Sequence, residues 1–252
     1  MRAFNAAYLG ELKKLFWRKK YIVFIIIGVA LCLLWAAVAS LASGAIFRFG
    51  GIPINLMPTP MGVFPFFAQT LIPLLIFMGA SDLITAETAV MKAVIGRPVE
   101  RWKLYSGKML AIMSYVAIYL AVIFIVSAVL YQLSQIGRVM SLNGLLQALL
   151  AYALALLPLA VLTLFAGLVA LLGKSPSLTM LVLIGAYISM RTLPIFMPIF
   201  AELLFTSHIG WHRIWIGVRP SPARLVHMFS IVFGYGVVLF TAGSLIFERK
   251  EY

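Results

Sequence analysis

Long stretches without a formal charge recur along this chain. Between Lys20 and Arg48, 27 consecutive residues carry none. Four comparable stretches follow, at 49–81, 109–137, 139–173 and 225–247. Each is long enough to cross about 30 Å of hydrocarbon as a helix that rises about 1.5 Å per residue. The repeated stretches therefore predict an integral membrane protein whose helices cross the bilayer several times.

The composition favours helical spans over a β-barrel. Hydrophobic residues make up 63% of the chain and charged residues 11%, compared with about 25% charged residues in soluble domains. The uncharged stretches are apolar on all sides, whereas a barrel strand alternates apolar and polar residues. A length of 252 residues leaves room for about six spans and no separate catalytic domain. We therefore predict an all-α fold of six transmembrane helices, with 1–252 forming one transmembrane domain.

The net charge of +13 is concentrated beside particular spans. Basic residues cluster before the first span and between the second and third spans. This arrangement indicates contacts with anionic lipid headgroups and control of orientation, rather than nucleic-acid binding. By the positive-inside rule, both termini are expected on the cytoplasmic side of the cytoplasmic membrane. The single cysteine, Cys32, lies within the first span and has no disulfide partner in the chain.

Residues 1–20 are predicted to form an amphipathic helix before the first span. Apolar residues recur at helical spacing on one face, at Phe4, Tyr8, Leu12, Leu15 and Phe16. Such a helix lies in the membrane interface; the alternative is a solvated helical extension. The basic residues expected at the interface are Lys13, Lys14, Arg18, Lys19 and Lys20.

Two segments on the expected outer side are irregular. Residues 44–60 contain a Gly-Gly pair and three prolines and are predicted to form a loop. Farther on, only 16 uncharged residues separate Lys174 from Arg191, or about 24 Å of helix, which is short for a bilayer. We therefore predict a short or tilted fifth span, followed across 191–224 by partly buried, non-spanning helical pieces. Whether Arg191 extends to the interface or lines a path stays open.

The connection after the second span is predicted to be a compact turn between two helices, at residues 86–98. Met91 and Val94 lie near one face of the first helix, and Gly96 lies where a left-handed C-cap is needed. Pro98 suits the first position of the next helix, which returns to the membrane. A turn of this shape can dock in a groove on a soluble partner.

This connection carries a resemblance to a known family. It is similar to the pattern in membrane subunits of type-2 ATP-binding-cassette exporters, where an acidic residue ends the second span and a Pro-x-x-Arg run and a Gly-Lys pair precede the third. The matching residues are Glu87, Gly96, Pro98, Arg101, Gly107 and Lys108. The N-terminal amphipathic helix, the six spans and the run 204–208 also resemble this family. The family's Gly-Thr pair is replaced here by Val90, Met91 and Lys92.

The resemblance implies that this chain is a transport subunit and not itself an enzyme. Two membrane subunits, identical or different, would pair, and each would contact a separate ATPase. ATP and magnesium would bind that partner, so no cofactor is expected on this chain. Residues 86–98 would form the coupling helix. The residues expected to couple to the ATPase are Glu87, Met91, Val94, Gly96, Arg97, Pro98 and Arg101.

In this family, closure of the ATPase dimer on ATP would tilt the membrane subunits and expose the substrate path. The many aromatic residues favour an amphipathic or lipid-like cargo, with a peptide or an antibiotic among the candidates. Small residues of the first span, Gly28 among them, are expected at the interface between the two membrane subunits, because they allow helices to approach closely.

Two acidic residues near the end of the second span, Asp82 and Glu87, allow two interpretations. An acidic side chain in hydrocarbon is costly unless it is paired or hydrated. Either residue could orient the coupling helix through Arg97, Arg101 or an arginine of the ATPase. Alternatively, each is a helix-end carboxylate exposed to the cytosol.

Other polar residues suggest different functions. Glu202, His208 and His212 could form a three-ligand metal set, which would indicate an intramembrane metal-dependent hydrolase. The histidines lie near Trp211 and could equally be interfacial anchors. Residues 167–175 resemble a phosphate loop but have five residues where four are needed, so they do not predict a nucleotide site. A passive channel or an assembly factor is a third alternative.

Overall fold

The computed structural model describes residues 2–41, 46–49, 52–55, 59–86, 101–134, 141–215 and 221–249. The helices are α1 (Arg2–Trp17), α2 (Lys19–Leu41), α3 (Pro60–Thr85), α4 (Arg101–Ser134), α5 (Leu142–Leu172), α6 (Pro176–Phe196), α7 (Phe200–Leu203) and α8 (Pro222–Arg249), with a 3₁₀ helix at Phe205–Trp215. Strands β1 (Ile46–Phe49) and β2 (Ile52–Asn55) form an antiparallel pair in which Phe49 lies opposite Ile52.

The predicted multi-pass architecture is confirmed. Within the described part of the chain, six helices are long and apolar enough to cross a membrane, namely α2, α3, α4, α5, α6 and α8. The hairpin β1–β2 lies where the sequence predicted a loop, so the all-α prediction holds for the spans but not for that connection.

Helix α3 contains two π-helical stretches, Phe67–Leu71 and Ser81–Thr85. In an α-helix, the N–H of residue i bonds to the carbonyl of residue i−4, and in a π-helix to that of residue i−5. Pro73 follows the first stretch and has no N–H to donate to the carbonyl of Gln69. The hydroxyl of Tyr187 in α6 donates to that carbonyl oxygen instead, at 2.8 Å. A side chain of a neighbouring helix therefore supplies the hydrogen bond that the Gln69 carbonyl lacks within α3.

Helix α4 is the centre of the bundle and contacts α1, α2, α3, α5 and α8. Its buried tyrosines face several of these helices. The hydroxyl of Tyr115 donates to the backbone carbonyl of Tyr21 in α2 at 2.8 Å. Gly28 of α2 is also turned toward α4, because a Cβ atom at this position would lie 3.0 Å from Cζ of Tyr119. Gly28 therefore serves close packing within this chain, contrary to its predicted place between subunits.

The apolar face of α1 packs on the protein. Leu15 is fully buried, and Tyr8, Leu12 and Phe16 are partly buried against the core. Tyr8 and Ser114 of α4 share a hydrogen bond of 2.7 Å between their hydroxyl oxygens. A helix is present at Arg2–Trp17, within the predicted segment, and its apolar stripe packs against α4.

The fifth span is longer than its uncharged run predicted. Helix α6 begins at a cap in which Ser175 Oγ accepts from the N–H of Leu178 at 3.3 Å. It then continues through Arg191 and Pro194 for 21 residues, or about 31 Å. The charge of Arg191 does not end the helix, because the guanidinium is hydrogen-bonded to Gln69 Oε1 at 2.9 Å.

Of the segment predicted to be irregular, 191–224, residues 191–196 belong to α6 and 222–224 to α8, and the part between α6 and Trp215 consists of short helical pieces. It contains the short α7 and a 3₁₀ helix of 11 residues, which is long for this type of helix. Side chains tie it to two spans. Trp211 Nε1 donates to the carbonyl of Leu154 in α5 at 3.1 Å, and Thr206 Oγ1 donates to that of Met190 in α6 at 3.4 Å.

Candidate functional site

A buried carboxylate, Asp82, joins the end of α3 to the junction between α1 and α2. The side chain of Asp82 is 8% exposed. Its Oδ2 atom accepts a hydrogen bond from the hydroxyl of Tyr21 at 2.8 Å and lies 3.3 Å from Nη1 of Arg18. The ammonium of Lys20 pairs with the same oxygen. We call these four residues the Asp82 cluster.

The break between α1 and α2 supplies the donors of this cluster. Helix α1 ends at Trp17 and α2 begins at Lys19. Arg18, Lys20 and Tyr21 therefore all lie at this tight junction. A buried carboxylate is costly unless charges and donors compensate it. All three residues do so at Asp82. The interpretation of Asp82 as an exposed helix-end carboxylate is therefore wrong, and its described partners lie in the N-terminal segment, not in the coupling connection.

A second buried contact, the Lys108 bridge, links α1, α3 and α4. Lys108 is 1% exposed although it carries a charge. Its Nζ atom donates to the backbone carbonyl oxygen of Leu83 at 2.8 Å and lies 3.2 Å from Oε1 of Glu11. Lys14 approaches the same Glu11 oxygen at 3.1 Å. The cation therefore neutralises a buried acid and satisfies a carbonyl near the C-terminal end of α3.

Thr85 connects the same end of α3 to the other side of the bundle. Its Oγ1 atom donates to the carbonyl of Ala170 in α5 at 2.8 Å and lies 3.4 Å from Oγ1 of Thr179 in α6. With the Asp82 cluster and the Lys108 bridge, polar side chains thus join the last turn of α3 to the α1–α2 junction, α2, α4, α5 and α6. These contacts lie at one end of the bundle, which we call the N-terminal end because the α1–α2 junction belongs to it.

Arg101 is the one predicted coupling residue within the described part of the chain. It is the first residue of α4, and its Nη1 atom donates to the backbone carbonyl of Glu248 in α8 at 2.7 Å. Arg101 thus anchors the end of α8 at the N-terminal end of the bundle. The other predicted coupling residues lie outside the described residues, namely Glu87, Met91, Val94, Gly96, Arg97 and Pro98.

The predicted interfacial lysines and arginine separate into two groups. Lys13 and Lys19 are exposed, and Lys13 Nζ lies 5.2 Å from the ring centroid of Trp17. Lys14, Arg18 and Lys20 make the ion pairs described above. Part of this basic group therefore holds the fold together, in addition to any contact with lipid headgroups.

The sequence reasoning missed Glu11 and assigned no structural role to Lys108 or Tyr21. One signal in the sequence could have pointed to Glu11 and Lys108. Glu11 is the only acid between Met1 and Leu41 and lies three residues before Lys14, while Lys108 lies seven residues inside a helix that continues into an apolar run. Charges in such places need partners, although the sequence does not say that these two residues meet.

The predicted metal set is not assembled among the described side chains. No group of three histidine, cysteine, aspartate or glutamate side chains lies close enough to hold a metal within that part of the chain. His208 Nε2 donates to the backbone carbonyl of Glu202 at 3.3 Å, while the Glu202 side chain is exposed. The side chain of His212 lies outside the described residues. Burial lowers the pKa of His208, so its imidazole is neutral at pH 7.

No protein-family model matches this chain, and no curated protein matches it. The sequence and the structure together establish a multi-pass helical membrane protein, with six apolar spans in its described part and a network of buried charges at one end.

Proposed function

We propose that this chain is the membrane subunit of an ATP-driven exporter. In this proposal it pairs with a second membrane subunit, and each subunit binds an ATP-binding-cassette ATPase at the connection between α3 and α4. ATP binding and hydrolysis on the partner drive alternating access, which carries an amphipathic or lipid-like cargo across the cytoplasmic membrane. The resemblance of residues 87–108 to this family suggests the proposal.

One structural observation carries it furthest: the two helix ends that flank the proposed coupling connection are both held by side chains of the N-terminal segment, between Glu11 and Tyr21. The Asp82 cluster holds the end of α3 against the α1–α2 junction. The Lys108 bridge holds the start of α4 against α1. Breaking a buried ion pair by moving one partner away costs about 3–5 kcal/mol. A force applied between these ends would therefore move α1, α3 and α4 together.

The same frame extends to the rest of the bundle. Thr85 connects the end of α3 to α5 and α6, and Arg101 connects the start of α4 to the end of α8. A displacement at the coupling connection would in this way reach all the remaining spans. Transmission of this kind is what a subunit driven by an external ATPase requires.

The proposal also fixes an orientation. Most of the basic residues belong to the N-terminal end of the bundle or to the segments that adjoin it. By the positive-inside rule this end faces the cytoplasm, where a soluble ATPase could reach the connection. The start of α5 and the 3₁₀ helix would then face outward.

The test is site-specific cross-linking in cells. In a Cys32→Ala background, Val94→Cys places a thiol on the proposed coupling helix, and Leu142→Cys places one at the exposed start of α5, at the opposite end of the bundle. A thiol-reactive cross-linker is expected to capture an ATP-hydrolysing protein through Val94→Cys and not through Leu142→Cys. Capture at neither position, or equally at both, would refute the exporter proposal.

A labelling experiment on the same two variants tests the orientation. A thiol reagent that does not cross membranes is expected to label Leu142→Cys in intact cells. It should label Val94→Cys only after the cells are opened. The reverse pattern would place the coupling connection outside the cell, where no cytosolic ATPase could bind it.

A further inference from the structure

A cavity of about 570 Å³ lies at the end of the bundle opposite the Asp82 cluster. Its wall includes Gln69 of α3, Arg191 of α6, Glu202 of α7 and His208 of the 3₁₀ helix. Cavities of about 300–1,000 Å³ are typical of sites for small ligands. The volume therefore suits the headgroup of a lipid but not a whole lipid molecule.

Among the described side chains that line the cavity, Arg191 is the one arginine or lysine, and two hydrogen bonds hold it in place. Arg191 donates through Nη2 to Gln69 Oε1 at 2.9 Å and through Nη1 to the hydroxyl of Tyr187 at 3.4 Å. A guanidinium has five N–H donors, so most of them remain for a ligand. Its planar arrangement of donors suits phosphate and carboxylate groups. The two protein contacts come from different helices and fix the direction of the side chain.

The cavity also contains an acidic residue whose position is unusual in this sequence. Glu202 is the only acidic residue between Arg101 and Phe247. Its side chain is exposed, and its backbone carbonyl accepts the hydrogen bond from buried His208. The ion pairs of the described residues involve Glu11 and Asp82 at the other end of the bundle, and none joins Arg191 to Glu202. One wall thus presents a positive and a negative group that do not neutralise each other.

Apolar side chains lie beside the cavity, in the residues that separate Arg191 from Glu202. Pro194 and Ala201 line the cavity, while Ile195, Phe196 and Ile199 between them are strongly exposed, at 75%, 80% and 80%. Exposed apolar side chains of this kind, at the end of a span, form a surface that suits contact with lipid. A ligand in the cavity therefore has an apolar surface next to it.

We propose that this cavity binds a phospholipid whose headgroup carries both a phosphate and a primary ammonium. Arg191 binds the phosphate, Glu202 accepts hydrogen bonds from the ammonium, and the acyl chains lie along exposed apolar side chains of α6 on the inner side of Arg191, such as Ile188. A trimethylated ammonium has no N–H to donate, so a choline headgroup binds more weakly. The inference does not depend on the exporter proposal.

The test is lipid binding to the purified full-length chain in detergent, measured by native mass spectrometry with dihexanoyl phosphatidylethanolamine. Arg191→Gln and Glu202→Gln are each expected to weaken binding about tenfold, the effect of losing one charge-assisted contact. Lys174→Gln is the matched control, because Lys174 is exposed at the other end of α6. This control should bind like the unmodified chain. Unchanged binding in both cavity variants would overturn the proposal.

Two further comparisons make the result specific. Dihexanoyl phosphatidylcholine and phosphatidylglycerol should bind more weakly than the ethanolamine lipid, since the first cannot donate to Glu202 and the second carries no ammonium. Soluble phosphoethanolamine should compete poorly, and competition as strong as that of the lipid would overturn the lipid assignment. Ser207→Trp, which fills the cavity without changing charge, should reduce binding as well. Full binding by this variant would place the lipid elsewhere.

Discussion

The ammonium of Lys108 lies 2.8 Å from the backbone carbonyl oxygen of Leu83, so a side chain of α4 satisfies the end of α3. The same ammonium neutralises Glu11 of α1. One buried cation therefore joins three helices. Since neither Lys108 nor Glu11 is accessible to water to any large extent, the contact contributes to stability only while all its partners are present.

Replacing Lys108 by methionine should destabilise the fold by about 3 kcal/mol, because it removes the buried partner of the Glu11 carboxylate and leaves it with the more exposed Lys14. The double variant Glu11→Gln/Lys108→Met should be more stable than the single variant, since no buried charge remains. Thermal unfolding in detergent measures both. Lys174→Met, at an exposed turn, is the control and should change the melting temperature little. A double variant less stable than Lys108→Met would contradict the bridge.

The Asp82 cluster predicts that Tyr21 and Asp82 act as a pair. Tyr21→Phe removes one buried donor and should cost about 1–2 kcal/mol of the free energy of unfolding. Asp82→Asn keeps an acceptor for the hydroxyl but removes the negative charge from Arg18 and Lys20. Because the residues are in contact, the effects should not add in Tyr21→Phe/Asp82→Asn. Denaturant titrations of the three variants give the coupling energy, and strict additivity would show that the two side chains act independently.

Two glycines in apolar spans should respond differently to alanine. At Gly28 a new Cβ would collide with the ring and hydroxyl of Tyr119, so Gly28→Ala should destabilise the protein by about 1–3 kcal/mol. At Gly185 in α6 no atom lies within 4 Å of the added Cβ. Gly185→Ala should therefore be neutral or stabilise the helix by as much as about 1 kcal/mol. Melting temperatures measured under identical conditions compare the two, and an equal effect at both positions would contradict the packing of α2 on α4.

Because His208 is buried, we predict that the protein loses stability in mild acid. Burial lowers its pKa below the usual value of 6.5, with a smaller effect of His227 in the same direction. The folded protein therefore binds fewer protons at this site than the unfolded chain. Its contribution to stability is complete above about pH 6.5 and is lost as the pH falls through the lower value of the folded state.

Melting temperatures between pH 8 and pH 5 test this prediction. The decrease on acidification should be smaller in His208→Gln than in the unmodified chain. His227→Gln is the control, since His227 is exposed, and it should retain most of the decrease. If His208→Gln lost as much stability in acid as the unmodified chain, the response would originate at another group.

The spans could be predicted from the sequence because one physical requirement dominates them: apolar length. The partners of Asp82 could not, since Arg18 and Tyr21 lie at the α1–α2 junction, far from Asp82 in the chain, and the sequence contains no measure of which helix ends meet. The burial of Lys108 was hidden for a related reason. A lysine beside an apolar run usually extends to the interface. The buried ammonium of Lys108 is stabilised by Glu11, whose position on α1 only the fold reveals.

The uncharged run underestimates the length of α6, because the run ends before Arg191 while the helix continues to Phe196. Arg191 donates to Gln69 of α3 and to Tyr187 of α6 itself. Pro194 has no N–H for the carbonyl of Met190, which accepts from Thr206 Oγ1 instead. The cavity beside them was also beyond sequence reasoning. Gln69, Arg191 and Glu202 come from three helices, and only the fold brings them to one wall.

The two wide turns of α3 have an evolutionary consequence. Each holds one residue more than a regular helical turn and therefore rotates everything that follows by about 100°. The direction in which Asp82 points, relative to the start of α3, thus depends on the single surplus residue of the first stretch. Loss of one residue from Phe67–Leu71 would turn the end of α3 away from the α1–α2 junction without altering any partner. In related chains, a one-residue deletion here should be accompanied by new residues at the positions of Arg18 and Tyr21.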